Sequence, residues 1–207
     1  MKIHLVRHAE TIWHSEDRYA GHTEIELTKI GIEQSDLLKD WSLSQNIEAI
    51  YTSTLQRSIL TARPTALALN LEPQKNSDFN EVNFGEIEGL TKIQFKSKYP
   101  ELWHKFQQCP AKTKFPSGET GEEALQRALN SISNILRLNN YSEILVVSHG
   151  TLIRLLLTYL MLKDLNQYRE LFPKIDNVGI TTISLNDLNV NLDSSFKLYR
   201  YNSKLTQ

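Results

Sequence analysis

The sequence predicts an α/β fold in which helices cover both faces of a mostly parallel sheet, a three-layer αβα sandwich. Two observations lead to this prediction. Strand-like apolar runs alternate with helix-like segments through most of the chain. The run Glu143–Ser148 is apolar almost without interruption, which is typical of a parallel strand covered on both faces. The chain has 207 residues, enough for a sizeable core, and we expect residues 1–207 to form a single domain.

The first half of the chain contains two long predicted helices. Thr28 is a suitable N-cap for the first, which places Ile30, Leu37, Leu38 and Trp41 on one face. The second includes Leu55, and Pro64 is expected to kink or divide it, because proline lacks a backbone N–H and its ring clashes with the preceding turn. Three strands are predicted here, at Lys2–Arg7, 47–51 and 71–75, and a polar loop covers 10–26.

The second half begins with an irregular segment, 82–120, which contains two short predicted helices separated by Pro100. The pattern Thr120-x-x-Glu123 is a capping box, and it predicts the start of a helix that continues to about Leu138. A further helix follows the strand Glu143–Ser148 and contains the leucines between 152 and 160. Two more strands are predicted, at Ile180–Leu185 and 196–201.

Composition argues against several functional classes. Lys and Arg number 23 and Asp and Glu 24, and this net charge of −1 provides no electrostatic footprint for nucleic acid or for an anionic membrane. The longest apolar region, 152–162, is interrupted by Arg154 and Thr158 and is too short to span a bilayer. Arg7 and His8 end the first apolar run before it reaches the length of a signal peptide. A single cysteine, Cys109, excludes an internal disulfide, and we expect a cytoplasmic protein.

Basic residues follow three of the predicted strands. Arg7 and His8 come at the end of the first strand, Arg57 lies in the first turn after the second, and His149 follows Glu143–Ser148. Because parallel strands end at the same edge of a sheet, we expect these side chains to meet there. Arginine presents a fork of donors to phosphate oxygens, histidine is a nucleophile near neutral pH, and a helix N-terminus attracts anions. The cluster therefore predicts a site that binds a phosphate group and attacks it.

Several short motifs strengthen this interpretation by occurring together in one order. They are Leu5-Val6-Arg7-His8-Ala9-Glu10-Thr11, Gly21, Leu27-Thr28 with Gly31 and Gln34, Ser53-x-Leu55-x-Arg57 with Thr61-Ala62, Glu81-Val82-Asn83-Phe84-Gly85-x-x-Glu88-Gly89, Pro116-x-Gly118-Glu119 and Ser148-His149-Gly150. In this combination the chain resembles the histidine phosphatase superfamily, in its phosphoglycerate-mutase-like branch. The resemblance covers nearly the whole chain, and it implies a phosphoglycerate-mutase-like version of the αβα sandwich and a histidine phosphatase domain.

The resemblance also implies roles for five residues. His8 matches the histidine that accepts the phosphoryl group, and Arg7, Arg57 and His149 match residues of the phosphate pocket. Glu81 matches the acid that protonates the leaving oxygen and later deprotonates the hydrolytic water. These roles agree with the chemistry, since phosphoryl transfer requires positive charge around the equatorial oxygens and an in-line nucleophile. The implied enzyme is a histidine acid-type phosphatase, a phosphoric monoester hydrolase without a metal or another cofactor.

Four further residues are expected to contact the substrate: His14, Ala20, Gly21 and Gly150. His14 stands where relatives usually carry asparagine, and it can still donate a hydrogen bond to phosphate. At Ala20 the usual polar side chain is missing, which leaves only the backbone at 20–21 to contact phosphate. Gly150 permits close approach of the backbone to a ligand. Asn80 stands where relatives often carry an arginine before the acid. We expect the differences at His14, Ala20 and Asn80 to affect substrate specificity rather than the reaction.

Four histidines near the start of the chain raise the alternative of a metal site: His4, His8, His14 and His22. We reject this alternative because His4 and His8 are separated by four residues of extended chain, a distance of ~13 Å. His4 and His22 are expected to be structural or exposed.

Three functions are compatible with the resemblance. The first is a phosphomonoesterase that hydrolyses a small phosphorylated metabolite through a phosphohistidine, and both broad-specificity phosphatases and α-ribazole phosphatases are open here. The second is a phosphoglycerate mutase, although mutases are usually longer and carry a tyrosine in the segment Phe84-Gly85-x-x-Glu88-Gly89. The third is an inactive binding protein, which the intact set of site residues disfavours. We expect the protein to be a monomer or a homodimer. The expected binding partner is the small phosphorylated metabolite.

The segment 82–120 is predicted to act as a lid that selects the substrate, because the basic cluster recognises only the phosphate. This segment starts directly after Glu81 and is rich in large apolar side chains. They are Phe95, Tyr99, Leu102, Trp103, Phe106 and Phe115. The alternative is that these side chains only anchor the segment to the rest of the domain.

Overall fold

The strands of the computed structural model, which describes residues 1–186 and 196–205, form one mixed sheet. They are β1 (Lys2–Arg7), β2 (Ala49–Thr52), β3 (Gln74–Lys75), β4 (Glu143–Ser148), β5 (Ile180–Leu185) and β6 (Phe196–Ser203). Their order is β3-β2-β4-β1-β5-β6, in which the first four strands are parallel and β5 is antiparallel to both neighbours. All predicted strands are present, although some ends differ by a few residues.

Helices occupy most of the connections between these strands. The described residues contain α1 (Ile12–Ser15), α2 (Lys29–Ser42), α3 (Gln56–Leu69), α4 (Lys92–Lys98), α5 (Pro100–Gln108), α6 (Gly121–Leu138), α7 (Gly150–Leu160) and α8 (Tyr168–Leu171). Short 3₁₀ turns lie at Ser77–Phe79, Gly85–Ile87 and Leu165–Gln167. The one-turn helix α1 interrupts the predicted polar loop, and α6 starts with the predicted capping box. Within 1–186 and 196–205, every helix is too short or too polar to cross a membrane.

Side chains of the fully buried strand β4 alternate between two apolar cores. Ile144 and Val146 lie in one core together with residues of α6 and α7. Leu145 and Val147 lie in the other together with residues of α2 and α3. Because successive side chains of a strand point to opposite faces, helices must cover both faces of the sheet. The predicted three-layer αβα sandwich is confirmed.

Two local predictions about the helices are wrong in part. Leu38 is buried as predicted, but Ile30 is 54% exposed, and Gly31 faces inwards. The reason is a close approach, since a Cβ at Gly31 would lie 2.2 Å from the carbonyl oxygen of Glu10, so this position must face inwards. Pro64 does not divide α3, which continues through it. Packing of the buried face of α3 outweighs the one backbone hydrogen bond that proline removes.

Aromatic rings attach the segment 82–120 to the rest of the chain. Phe95, Phe106 and Phe115 are at most 2% exposed, and their ring centroids lie 4.9–6.4 Å apart. The rings of Tyr19 and Phe84 extend this cluster. Such edge-on and tilted contacts between buried rings are stabilising. These contacts support the alternative interpretation, in which Phe95 and Phe115 anchor the segment 82–120 to the rest of the domain.

Candidate active site

The predicted basic cluster forms at the carboxyl ends of β1, β2 and β4. Arg7 ends β1 in register with Ser148 at the end of β4, and the backbone N–H of His8 donates to the carbonyl of Ser148 at 2.9 Å. The ring centroids of His8 and His149 are 5.1 Å apart. Arg57 comes from the first turn of α3, which follows β2. The structure therefore brings the four basic residues together, as the parallel sheet predicts.

His8 has a defined tautomer. Its Nδ1 lies 2.7 Å from the carbonyl oxygen of Ala9, and because a carbonyl only accepts, Nδ1 carries the proton. Burial, reinforced by the positive charges of Arg57 and Arg7, lowers the pKa of His8 well below its usual value. The ring is therefore neutral at physiological pH, and Nε2 has a free lone pair. A nucleophilic attack on phosphorus requires this state.

Arg57 is fully buried, and backbone carbonyls hold its guanidinium. Nη1 donates to the Thr23 oxygen at 2.9 Å, and Nη2 donates to the Gly21 oxygen. Burial lowers the pKa of Arg57 to about 10, so the group remains a cation at neutral pH. Gly21, which was predicted to contact substrate, contributes its carbonyl to Arg57. A Cβ at this position would lie 2.1 Å from Oε1 of Glu88, which explains the glycine.

Arg7 lies against the start of α7. Its Nη1 donates to the carbonyl of Ile175 at 2.7 Å, and its Nη2 donates to Nε2 of His14. A Cβ at Gly150, the first residue of α7, would be 3.3 Å from Nε of Arg7, which is tight for a side chain. Gly150 therefore allows the guanidinium to approach the helix N-terminus.

His149 is the N-cap of α7 and is completely buried. Its Nε2 lies 2.8 Å from Oγ of Ser53 and 3.3 Å from Oγ of Ser58. Burial and the nearby charge of Arg57 lower the pKa of His149 well below its usual value, so this ring is neutral as well. When a serine donates to Nε2, the proton of the ring resides on Nδ1.

Three buried nitrogens of this cluster have no hydrogen-bond partner in the described part of the chain. They are Nε of Arg7, Nε of Arg57 and Nδ1 of His149. A buried donor without a partner costs about 1–3 kcal/mol. Phosphate oxygens are strong acceptors, and hydrogen bonds from guanidinium groups to them are among the strongest in proteins. The polar atoms present therefore fit an anion such as a phosphoryl group.

Glu81 lies at the N-terminus of α7. Its carboxylate accepts the backbone N–H groups of Thr151 and Leu152, at 2.9 and 3.1 Å, and that of Val82 at 2.9 Å. The positive end of the helix dipole favours a carboxylate at this place. Glu81 is 6% exposed and lines the same cavity as His8, and its charge interacts with those of Arg7 and Arg57.

His14 lines the cavity, and both of its ring nitrogens contact neighbouring residues. Its Nε2 accepts from Arg7, lies 3.3 Å from Nδ2 of Asn177, and is therefore an acceptor, while Nδ1 contacts Thr11. Burial and the charge of Arg7 lower the pKa of His14 to about 4, which leaves the ring neutral. The predicted hydrogen bond from His14 to phosphate stays a prediction. The contact with Arg7 shows that His14 also orients this guanidinium.

A cavity of about 680 Å³ opens at this edge of the sheet. Five of the predicted site residues line it: Arg7, His8, His14, Ala20 and Glu81. Arg57 and His149 lie in the fully buried layer beside His8, and Gly21 and Gly150 support the two arginines. The cavity also extends past the phosphate end, along Trp103 and Phe106 of α5 and along α8.

Sequence reasoning missed two residues that hold the site. Asn177 donates from Nδ2 to the carbonyl of His8 at 2.9 Å. Arg127, on α6, donates to the carbonyl of Glu81 at 2.9 Å and forms an ion pair with Glu119 at 2.7 Å. Arg127 lies four residues after Glu123 of the capping box, which offered a weak signal, whereas no motif surrounds Asn177.

The other N-terminal histidines have partners of their own. His4 donates from Nε2 to Glu143 at 2.7 Å and contacts Oγ1 of Thr182 at 2.9 Å, within the sheet. His22 donates from Nε2 to the carbonyl of Glu81 at 2.9 Å. Both rings are therefore structural. Over residues 1–186 and 196–205, no three side chains of His, Cys, Asp or Glu come together in a way that could hold a metal ion.

The profile of the histidine phosphatase superfamily (branch 1) matches residues 3–195 of the sequence. The chain therefore belongs to this superfamily, and the resemblance that the motifs indicated is confirmed.

Two relatives match most of the chain. Phosphoserine phosphatase 1 of Hydrogenobacter thermophilus is 30% identical over 168 residues, which cover 81% of this chain and 80% of the relative. The probable phosphoglycerate mutase GpmB of Yersinia pestis is 32% identical over 162 residues, which cover 78% of this chain and 75% of the relative. One of these relatives is named as a phosphatase and the other as a mutase. Membership of the family therefore does not distinguish hydrolysis from mutase activity.

Solved structures show the same architecture. The α-ribazole phosphatase of Shigella flexneri superposes with a TM-score of 0.86 at 25% identity, covering 98% of this chain and 96% of that chain. Bacillus stearothermophilus YhfR superposes with a TM-score of 0.88 at 24% identity, covering 98% and 97%. The phosphoglycerate-mutase-like fold that the resemblance implied is therefore confirmed.

Proposed function

We propose that this protein is a phosphomonoesterase that hydrolyses a small phosphorylated metabolite through a phosphohistidine on His8. The observation that carries the proposal is the state of His8, a neutral ring with its proton on Nδ1 and a free lone pair on Nε2. Two cationic guanidinium groups, Arg7 and Arg57, surround this nucleophile. The proposal assigns histidine acid-type phosphatase chemistry to the chain.

In the first step, Nε2 of His8 attacks phosphorus, the P–N bond forms, and the P–O bond to the alcohol breaks. Glu81, in its protonated form, gives its proton to the departing oxygen. Arg7 and Arg57 compensate the charge on the equatorial oxygens. The Ala9 carbonyl accepts from Nδ1 and stabilises the positive charge that develops on the ring.

In the second step, water attacks the phosphohistidine while the carboxylate of Glu81 takes one of its protons. The P–N bond breaks, inorganic phosphate leaves, and His8 returns to its neutral form. One group thus acts as acid and then as base, and three backbone N–H groups hold it in the wall of the cavity that His8 also lines.

Phosphoglycerate mutase is the second candidate, because one relative carries that name. A mutase would return the phosphoryl group to a second hydroxyl instead of transferring it to water. Incubation with 3-phosphoglycerate and a bisphosphoglycerate primer separates the two activities. Formation of 2-phosphoglycerate that is faster than release of phosphate would identify a mutase. The α-ribazole phosphatase activity named for one structural neighbour is a third, narrower alternative that a substrate panel would test.

The central test is trapping of the phosphoenzyme. Wild-type protein and the His8→Ala variant are mixed with a ³²P-labelled ester, quenched within milliseconds and separated from the free label. We expect acid-labile, alkali-stable phosphate on the wild type and none on His8→Ala, together with loss of turnover. His104→Ala, a substitution of an exposed histidine, is the matched control. Full activity of His8→Ala would refute the proposal.

A further inference from the structure

Beyond the phosphate end, the wall of the cavity is rich in cations. Four basic side chains line this outer part: Arg18, Lys92, Arg154 and Arg169. Asp17 is the acidic residue among the lining residues there. The part of a substrate that leaves after phosphoryl transfer would be in contact with this wall.

Two of the four cations have carboxylate partners. Lys92 forms an ion pair with Asp17 at 3.0 Å, and Arg18 forms one with Glu16. Their charges are therefore compensated before any ligand binds, and they contribute little to recognition of an anion.

Arg154 and Arg169 have no carboxylate partner among residues 1–186 and 196–205. Arg154 uses Nε to donate to the carbonyl of Phe172. Arg169 donates to the carbonyl of Phe106 at 3.3 Å and to the hydroxyl of Tyr168 at 3.2 Å. Both Nη groups of Arg154 and Nη2 of Arg169 make no hydrogen bond with the described part of the chain.

Aromatic rings hold the two guanidinium groups, and the ring of Tyr168 contacts both of them. Arg154 lies 4.9 Å from the ring centroid of Tyr168, and Arg169 lies 5.5 Å from the same ring and 3.9 Å from that of Phe106. Such stacking orients the planar fork of an arginine without using up its donors. Burial lowers the pKa of Arg154, and the positive charge of Arg169 adds to this effect.

The position of Arg154 connects this pair to the reaction. Arg154 lies one helical turn after Thr151, whose backbone N–H donates to Glu81, and both residues line the cavity. Arg154 therefore lies on the side of the cavity from which the acid protonates the leaving oxygen, and Arg169 lines the same cavity.

We propose that Arg154 and Arg169 form a second anion-binding subsite, which selects phosphate esters whose alcohol carries another anionic group. The group is a carboxylate or a second phosphate, since a pair of guanidinium forks binds either one through charge-assisted hydrogen bonds. This inference rests on the proposed phosphatase function and specifies its class of substrate. A neutral alcohol would leave both guanidinium groups uncompensated.

Matched pairs of esters test this subsite. O-Phosphoserine and phosphoethanolamine differ only in a carboxylate, and fructose 1,6-bisphosphate and fructose 6-phosphate differ in a second phosphate. We expect the wild type to favour the anionic member of one pair in kcat/KM by about 10- to 100-fold, the range for hydrogen bonds to a charged group. The pair that shows the preference identifies the anion.

The variants Arg154→Gln and Arg169→Gln should each reduce this ratio about tenfold or more, and Arg154→Lys should restore part of it. A merely structural role would lower both members of a pair equally and leave the ratio unchanged. Lys92→Gln, at a cation already paired with Asp17, is the control and should keep the wild-type ratio.

Hydrolysis of p-nitrophenyl phosphate, which has no second anionic group, separates the two proposals. If the wild type hydrolyses this ester but shows no preference within either pair, the subsite is refuted and the phosphatase function stands. An unchanged ratio in both glutamine variants would also refute the subsite. If the wild type hydrolyses none of the esters, the proposed function fails and the subsite fails with it.

Discussion

The role of each residue in the site depends on the contacts that hold its side chain in place. Glu81 accepts three backbone N–H groups, two of them from the first turn of α7, so its carboxyl cannot rotate away from the cavity. His14 accepts from Arg7 through Nε2 and thereby orients that guanidinium. At this scale, the neighbours of a side chain determine whether it acts on the substrate or holds another residue.

The variant Glu81→Gln tests the role of the acid. We expect it to slow release of an alcohol by ~10²–10⁴-fold, because glutamine cannot donate the proton that the departing oxygen needs. Transfer of phosphate from p-nitrophenyl phosphate should hardly change, since p-nitrophenolate departs without a proton. Single-turnover kinetics of both esters measure the difference. Equal losses for the two leaving groups would contradict the role, and circular dichroism would show whether the variant is folded.

The sequence was sufficient to predict the site residues that follow strands. It was insufficient to predict the residues that position them. Arg7, His8 and His149 could be predicted because a strand end is a local feature, and parallel strands bring such ends together. Asn177 could not, since it reaches the carbonyl of His8 from 169 residues away. The role of His14 could not be predicted either, because it depends on the direction in which Arg7 points.

At the scale of the elements, helix α5 both anchors the segment 82–120 and lines the cavity. Phe106 does both, being 2% exposed in the aromatic cluster and part of the cavity wall. Trp103, one turn earlier, lines the cavity and is only partly buried. The hypothesis that segment 82–120 is a substrate-selecting lid is therefore restricted to the part of α5 that lines the cavity. We propose that Trp103 and Phe106 contact the leaving group.

Replacement of single aromatic residues tests this hypothesis. Trp103→Ala should change the order in which a panel of phosphate esters is preferred, while turnover of p-nitrophenyl phosphate stays within about threefold of the wild type. Phe79→Ala is the control, since its buried ring contacts Tyr51 and is not part of the cavity wall, so its loss should cost about 3–5 kcal/mol of stability without reordering the panel. The hypothesis would be abandoned if Trp103→Ala kept the parental order of substrates.

Element boundaries show which sequence signals are reliable. The capping box at Thr120 and the apolar run of β4 act locally, and both elements were predicted correctly. The inward face of α2 was predicted correctly at Leu38 and wrongly at Ile30, because apolar spacing does not show that the carbonyl of Glu10 requires a glycine at the contact. Contacts between elements can override periodicity, and only the tertiary structure reveals them.

The molecule as a whole buries several histidines in their neutral form. Burial lowers the pKa of His4, His8, His14 and His149. In the unfolded chain these rings would titrate near pH 6.5, so below that pH the unfolded state binds more protons than the folded state. The free energy of unfolding must therefore decrease as the pH falls below 6.5. The site that holds a neutral nucleophile makes the fold sensitive to acid.

Urea unfolding between pH 7.5 and 4.5 measures this sensitivity. Replacing His14, whose pKa is lowered to about 4, with asparagine should make the loss of stability on acidification less steep. The difference in slope is at most about 1.4 kcal/mol per pH unit, the value for one titrating group. His104→Asn, on the surface, should keep the wild-type slope. Identical slopes for His14→Asn and the wild type would contradict the prediction.

The contact between His8 and Ala9 also has an evolutionary consequence. The acceptor that places the proton on Nδ1 of His8 is the main-chain oxygen of the next residue, and every amino acid possesses that oxygen. No point mutation can delete it. The orientation of His149, in contrast, depends on the hydroxyl groups of Ser53 and Ser58, which one nucleotide change can remove. Genetic drift can therefore alter the walls of this site much more readily than the reactivity of its nucleophile.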